Sequence, residues 1–326
     1  MTDEQKVSGK QKLIIGLGEI LWDLLPEGRQ LGGAPANFAV MSARLGNRAI
    51  IASRLGDDQL GADARHLLNG FPADASHLQS DNQHPTSTVS VEFVGGQPHY
   101  VIHQPVAWDF MELTDGWRDM ASHADAICFG SLAQRSETSR RTIHSFLEGS
   151  APECVRVFDV NLRKPFYDSD WVRKSLQLAT ILKLNDVEVP EVLAMLGMRD
   201  DPRLHTTAEP DDTAVLEAAR QLLAEFPLKL VCITMGPYGS LMAGRDEYDR
   251  HPGIPTKVAD TVGAGDAFTA ALVSAYLQGV PLKVMNEAGN RWGSWVASQR
   301  GAMPPLPDSV LKSISEAVQQ AATSPR

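Results

Sequence analysis

The sequence has little of what marks a secreted, membrane-spanning or metal-built protein. It holds three cysteines in 326 residues. Cys128, Cys154 and Cys232 lie far apart, each in or beside an apolar run. They offer neither a disulfide framework nor the spacing of a zinc site, and they read as reduced core thiols. Basic residues are in the minority, 30 against 40 acidic, for a formal charge of −10. That balance disfavours broad contact with nucleic acid or an anionic membrane and favours a small-molecule partner, while leaving room for a local basic pocket. Long hydrophobic runs are missing. Met1–Gln11 is polar with no apolar signal core, and no later run approaches the length that spans a bilayer. A soluble, cytoplasmic protein with a flexible tail over residues 1–11 is expected. The histidines add nothing that competes: His99 and His103 would share a strand face, but no third ligand or HExxH spacing joins them.

A chain of this length, 43% hydrophobic, can bury a large core in one extended α/β domain or in two smaller ones. Leu13–Leu17 is a short apolar run stopped by Gly18, as a buried strand is, and it recurs in kind at Ala49–Ser53, Ala126–Gly130, Val155–Val160, Thr180–Leu184 and Lys229–Thr234. Helical periodicity occupies Ala34–Leu45, Ala62–Asn69, Ser139–Leu147, Val187–Leu196 and Thr213–Phe226, between most of these runs. Strands alternating with helices imply βαβ units and a parallel sheet covered on both faces. Three further helices are expected at Ala264–Leu277, Leu282–Ser298 and Ser309–Ala322. One region breaks the rhythm. Thr86–Val94 and Pro98–Gln104 are β-type runs joined through Gly95-Gly96-Gln97 with no helix between them. Such a hairpin must lie off the main sheet, and with the irregular stretch Trp22–Leu31 it could form a small second sheet over a site. Arg199–Pro210 is the one internal stretch that resembles a disordered linker.

The strongest chemical signal is Asp260-Thr261-Val262-Gly263-Ala264-Gly265-Asp266-Ala267-Phe268, followed by a helix. Gly263 and Gly265 bring bare backbone N–H groups to a helix N-terminus, where unsatisfied donors and the macrodipole together favour an anion. An isolated Asp266 would be an ordinary first-turn carboxylate. The glycines and Asp260 beside it favour chemistry instead. Competing glycine motifs fail: Gly16-Leu17-Gly18-Glu19-Ile20-Leu21 has Leu where a dinucleotide fingerprint needs its third glycine, and no Walker A string occurs.

The string resembles the DTxGAGD signature of the ribokinase-like (PfkB) carbohydrate kinases. Gly18-Glu19-Ile20-Leu21-Trp22-Asp23 and Gly32-Gly33-Ala34-Pro35-Ala36-Asn37 resemble that family's N-terminal sugar-binding signature, most like the fructokinases. The motifs keep the family's order from about Lys12 to Pro307. The resemblance implies one kinase domain over residues 12–326, a three-layer α/β fold around a mostly parallel sheet, with an inserted β lid from residues 22–31 and 86–108. It implies Asp266 as the general base toward a sugar hydroxyl and the amides of Gly263, Ala264 and Gly265 as an anion hole for the transferring phosphoryl group. Asp23, Gly33 and Asn37 would bind the sugar, with Arg163 of the Asp159-Val160-Asn161-Leu162-Arg163 string. Asp23 can accept from vicinal hydroxyls, Asn37 can donate and accept, and Gly33 admits close approach to the backbone.

ATP and Mg2+ are the implied cofactors. Asn185 and Glu188 match an N-x-x-E motif, with Glu188 acting on magnesium through water; Asn185 alone could simply cap the next helix. Thr234, Gly236 and Gly239 match a T-x-G-x-x-G turn toward the phosphates, and Asn290 corresponds to the adenine wall. Carbonyls of Asp260 (with its side chain), Val262, Val296, Gln299 and Gly301 would surround K+, although Pro305 stands where some relatives have Ser. The expected partners are a sugar, ATP and a second copy of the chain, joined through the lid. D-fructose is favoured as acceptor because an acid sugar such as 2-keto-3-deoxygluconate would want more cations than Arg163. A kinase for that acid sugar, another sugar or nucleoside kinase, and a non-catalytic sugar-binding paralogue are the alternatives. The last would have no reason to keep both Asp266 and the anion-hole glycines.

Overall fold

In the computed structural model, residues 11–25, 28–94, 97–205 and 209–323 are described. Most of the expected tail, the hairpin glycines 95–96 and part of the expected linker, 206–208, lie outside them. The chain opens with β1 (Leu13–Leu17), a hairpin of β2 (Leu21–Leu25) and β3 (Gly28–Gly32), α1 (Ala34–Arg44) and β4 (Arg48–Ala52). Next come β5 (Arg54–Gly56), α2 (Gln59–Leu68), β6 (Gln79–Asp81) and a second hairpin, β7 (Ser87–Val94) with β8 (Gln97–Ile102). The alternating section holds α3 (Asp115–His123), β9 (Ala126–Phe129), α4 (Glu137–Glu148), β10 (Val155–Asp159), α5 (Ser169–Leu178), β11 (Ile181–Asn185), α6 (Glu188–Leu196), α7 (Asp212–Glu225) and β12 (Leu230–Thr234). It closes with β13 (Ser240–Ala243), β14 (Tyr248–His251), α8 (Ala264–Leu277), α9 (Leu282–Ala297) and α10 (Asp308–Thr323).

The main sheet runs β14-β13-β12-β11-β10-β9-β1-β4. Its six strands from β12 to β4 pair in parallel, and β13 and β14 extend it as antiparallel strands. The parallel strands are buried on both faces, as apolar runs such as Leu-Ile-Ile-Gly-Leu require. One core lies between the sheet and α3–α7, around Phe129, Phe146 and Phe158; a second lies under α1, α8 and α9, around Phe38, Phe268 and Trp292; and a third gathers Ile20, Trp22, Val40, Ile51 and Leu68. The result is the expected three-layer architecture. A separate four-stranded sheet, β3-β2-β7-β8, joins the two hairpins through the parallel pair β2 and β7. The stretch read as irregular, Trp22–Leu31, is thus a regular hairpin, with Asp23 opposite Gln30. The small sheet ends at Ile102, and Val106 and Trp108, counted with the lid from sequence, pack in the main core instead.

Two helices, α3 and α5, were not read from the periodicity. In α3 the buried residues are Trp117, Met120 and Ala121, and its start is fixed by Thr114, whose hydroxyl accepts from the Trp117 amide. In α5 they are Val172, Ser175 and Leu176, with Asp168 as the N-cap. Within the expected linker, Pro202–His205 forms a 3-10 turn.

Candidate active site

Parallel α/β sheets gather ligands at the carboxyl ends of their strands, where loops diverge and helix N-termini point inward. Here Glu19 follows β1, Gly130 follows β9, Asp159 ends β10, Asn185 ends β11 and Thr234 ends β12. Opposite these ends stand the first turns of α1 and α8. Gly263, the N-cap of α8, has φ 78°, a left-handed conformation that glycine accepts without a Cβ penalty. A Cβ there would come within 2.6 Å of the Ala302 backbone, so this turn and the 301–302 segment are closely stacked.

Asp266 lies in the first turn of α8, and Asn37 of α1 donates to its Oδ2 at 2.7 Å. Burial, then the neighbouring Asp159 charge, push its carboxyl up to about 7, against the opposing pull of Asn37 and Lys183. A carboxylate tuned that close to neutrality can accept a proton and give it back, which is the property a general base needs. Ala34, Pro35, Gly130, Asp159 and Asp266 line one cavity of about 10 Å³, which places both acids on a common floor.

Several predicted site residues do structural work. Asn37 is 3% exposed, and the bond to Asp266 makes it the side chain that orients the acid. Gly33 has φ 118°, and a Cβ on it would strike the Glu19 carbonyl at 2.3 Å, so its first requirement is close packing of α1 on the Glu19–Ile20 backbone. Asn185 caps α6: its Oδ1 accepts from the Glu188 amide at 2.9 Å. Glu188 reciprocates, with Oε2 accepting from the Asn185 amide and Oε1 from the Leu162 amide. Asn290, 6% exposed, spends its amide nitrogen on Ser240 and Asn286 and so ties α9 to β13. Gly236 and Gly239 both take positive φ in the turn after β12, where the Met235 amide donates to the Gly239 carbonyl. Burial raises the carboxyl of half-buried Asp23, and the charge of exposed Arg163 opposes that rise only in part.

Asp260 explains how two distant segments meet. Its Oδ1 accepts from the Val262 amide and its Oδ2 from the Gly301 amide, each at 3.0 Å. Val262, Gln299 and Gly301 are thereby brought close to Asp260, whereas the Val296 carbonyl already accepts from the Gln299 amide. Gln30 of β3 lies directly over Gly301, and Arg44 of α1 donates to the carbonyls of Met303 and Pro304, so this loop also touches the small sheet and α1.

Four buried polar residues at the floor were given no role from sequence: Glu19, Asp159, Lys183 and Thr269. Glu19 keeps an unpartnered Oε2, and burial pushes its carboxyl up. Lys183 and Thr269 both bond Asp159. The sequence did carry a signal for them, since a Lys inside an apolar strand and a Thr among Ala and Leu on a buried helix must find partners.

A family model described as pfkB family carbohydrate kinase matches residues 28–309. The chain belongs to this family. It is therefore an ATP-dependent carbohydrate kinase, in the ribokinase-like fold. A fructokinase of Klebsiella pneumoniae is 32% identical over 310 residues, covering 89% of this chain and 95% of that one. An uncharacterised sugar kinase of Pyrococcus horikoshii, solved in complex with ATP, superposes with a TM-score of 0.76 at 26% identity, over 94% of this chain and 99% of that one. A Vibrio cholerae fructokinase, solved with fructose, ADP and calcium, gives 0.73 at 25% identity over 93% and 98%. Among the described residues of this kinase, no helix is long and apolar enough to cross a membrane.

Proposed function

We propose that the kinase transfers the γ-phosphoryl group of ATP to a primary hydroxyl of D-fructose. Asp266 is the general base, and the amides of Gly263, Ala264 and Gly265 form the anion hole. The observation that carries this reading is the half-buried carboxyl of Asp266, raised by desolvation to about 7 and held by Asn37 at the same helix N-terminus that presents the glycine amides. Phosphoryl transfer spreads charge over equatorial oxygens, and preorganised donors meet that charge without reorganising.

The sugar lies against Asp23, Gly33, Asn37 and Arg163, under the small sheet. A neutral acceptor is supported by the cations around it. Arg163 is exposed to this space, whereas Arg135 is already engaged, with Nε and Nη2 on the two oxygens of Asp109 and its guanidinium over the Trp108 ring. Fructokinases among the relatives support the same sugar. The nucleotide lies along Asn185, Glu188, Thr234, Gly236 and Gly239, with Asn290 holding α9 behind it. Exposed Val187, Tyr238, Val258 and Val262 offer apolar surface at that end of the sheet. Closure of the small sheet excludes water, the competing acceptor.

A divalent cation, Mg2+, fits beside Glu188, because each of its oxygens accepts a single backbone N–H and keeps a lone pair for a bound water. When bound, the ion neutralises phosphate charge. K+ fits among the carbonyls of Asp260, Val262, Gln299 and Gly301, with the Val296 carbonyl the weakest donor of the set. The edge strands of the small sheet, β3 and β8, support a homodimer through the lid.

A coupled assay of ADP release over D-fructose, D-ribose, 2-keto-3-deoxygluconate and a nucleoside tests the substrate. Fructose is expected to lead in kcat/KM. Another acceptor ahead by about tenfold or more would remove the fructokinase reading.

A further inference from the structure

Directly beneath the anion hole sits an ion pair that neither packing nor the general base requires. Lys183 of β11 donates to Asp159 Oδ1 at 3.0 Å, and the two side chains are 9% and 6% exposed. The other oxygen of Asp159 accepts from Thr269 at 3.0 Å, and the same hydroxyl lies 2.9 Å from the Gly265 carbonyl. Three elements, β10, β11 and α8, thus converge below Gly265. An ideal Cβ on Gly265 would come within 3.1 Å of Lys183 Nζ, so the ammonium lies against the glycine itself. Replacing such a buried pair by apolar side chains is often neutral or stabilising, so fold stability alone gives no reason to keep it.

The surroundings give one. Asp159, Glu188 and Glu19 are buried at this end of the sheet, with half-buried Asp266 beside them, and each carboxylate opposes the approach of a polyphosphate. Lys183 is the buried cation among them, and the charges of Asp159, Glu188 and Asp266 hold its ammonium protonated. We infer that Lys183 is a positioning residue for phosphoryl transfer: Asp159 and Thr269 hold its ammonium under Gly265, where it adds fixed positive charge to the amides that receive the phosphoryl group. Fixed charge in a dry site acts without the reorganisation that water would need. Acting from below the backbone, Lys183 stabilises the transferring group more than the bound ground state, so its loss lowers kcat and leaves KM nearly unchanged.

This inference rests on the proposed roles of Asp266 and the Gly263–Gly265 amides. The test compares Lys183→Met, Lys183→Arg and the double variant Lys183→Met/Asp159→Asn in the full chain, with ATP and the best acceptor of the sugar panel. Lys183→Met leaves Asp159 buried and unpaired and risks misfolding; the double variant removes both charges. A double variant with wild-type thermal midpoint, kcat lowered about 100-fold and KM for both substrates within about threefold is the expected result. Lys183→Arg, which keeps the charge, is expected to recover at least about tenfold of the loss. A double variant within about threefold of wild-type kcat, or Lys183→Arg no better than Lys183→Met, would overturn the inference. Asp266→Asn measured alongside separates the two levels. Activity in that variant removes the site assignment itself, whereas its inactivity beside an active double variant removes only the role of Lys183.

Discussion

Asp266→Asn changes one oxygen to nitrogen, and the structure makes two opposite demands on the result. The new side chain keeps a carbonyl oxygen that can accept from Asn37, so the first turn of α8 stays in place, but it can no longer take a proton from the sugar. Loss of a general base lowers turnover by about 10²–10⁴. Stability moves the other way. Desolvation pushes the Asp266 carboxyl up to about 7 in the folded protein, against an ordinary value of 3.8. Between those values the unfolded chain loses its proton while the folded protein keeps it, so a rise in pH destabilises the wild type. Three pH units at about 1.4 kcal/mol each give roughly 4 kcal/mol, fully developed above pH 7 and absent below about pH 4. The Asn variant is free of this cost. Urea denaturation of both proteins at pH 4.5 and pH 8 is therefore expected to show a stability difference that grows in favour of Asn as pH rises. The same titration predicts a wild-type kcat/KM that falls as pH drops through about 7, because protonated Asp266 cannot act as base. Near-wild-type turnover in Asp266→Asn would refute the assignment, and a stability difference unchanged with pH would refute the burial argument.

Asp23→Ala is expected to raise the sugar KM by at least about tenfold while changing the ATP KM little, since hydroxyl donors lose their acceptor in a water-poor pocket; equal effects on both substrates would move Asp23 out of the sugar site. Potassium is expected to raise the rate by ordering the loop that joins Asp260, Gly301 and Gly263, and equal activity in tetramethylammonium buffer would dismiss the cation. Light scattering at micromolar concentration is expected to give a dimer; a monomer would leave the β3 and β8 edges uncovered and refute pairing through the lid.

Local information was enough for much of this protein. Short apolar runs located β1, β4 and β9–β12, because a strand buried on both faces has to be apolar throughout. Helical periodicity and the Gly263–Gly265 signature placed α8 and Asp266, since a left-handed N-cap and bare amides need glycine at fixed positions. Sequence was weaker where few side chains carried an element. In β13, β14, α3 and α5 the pattern was short or polar, and pairing and packing with distant segments decided the structure.

The site divides along the same line. Residue types and their spacing were sufficient to suggest an acid, an anion hole and a sugar pocket, because each of these is a local motif. Its electrostatics were not local. The bond from Asn37 to Asp266 spans the chain from α1 to α8, the carboxylate of Asp260 fastens the Gly301 loop, and Lys183 and Thr269 meet at Asp159 from different layers. Those contacts exist only after β10, β11 and α8 have packed. Burial then turns ordinary side chains into a perturbed acid and a fixed cation, because the cost of desolvating a charge depends on everything that surrounds it and on little in its own stretch of sequence.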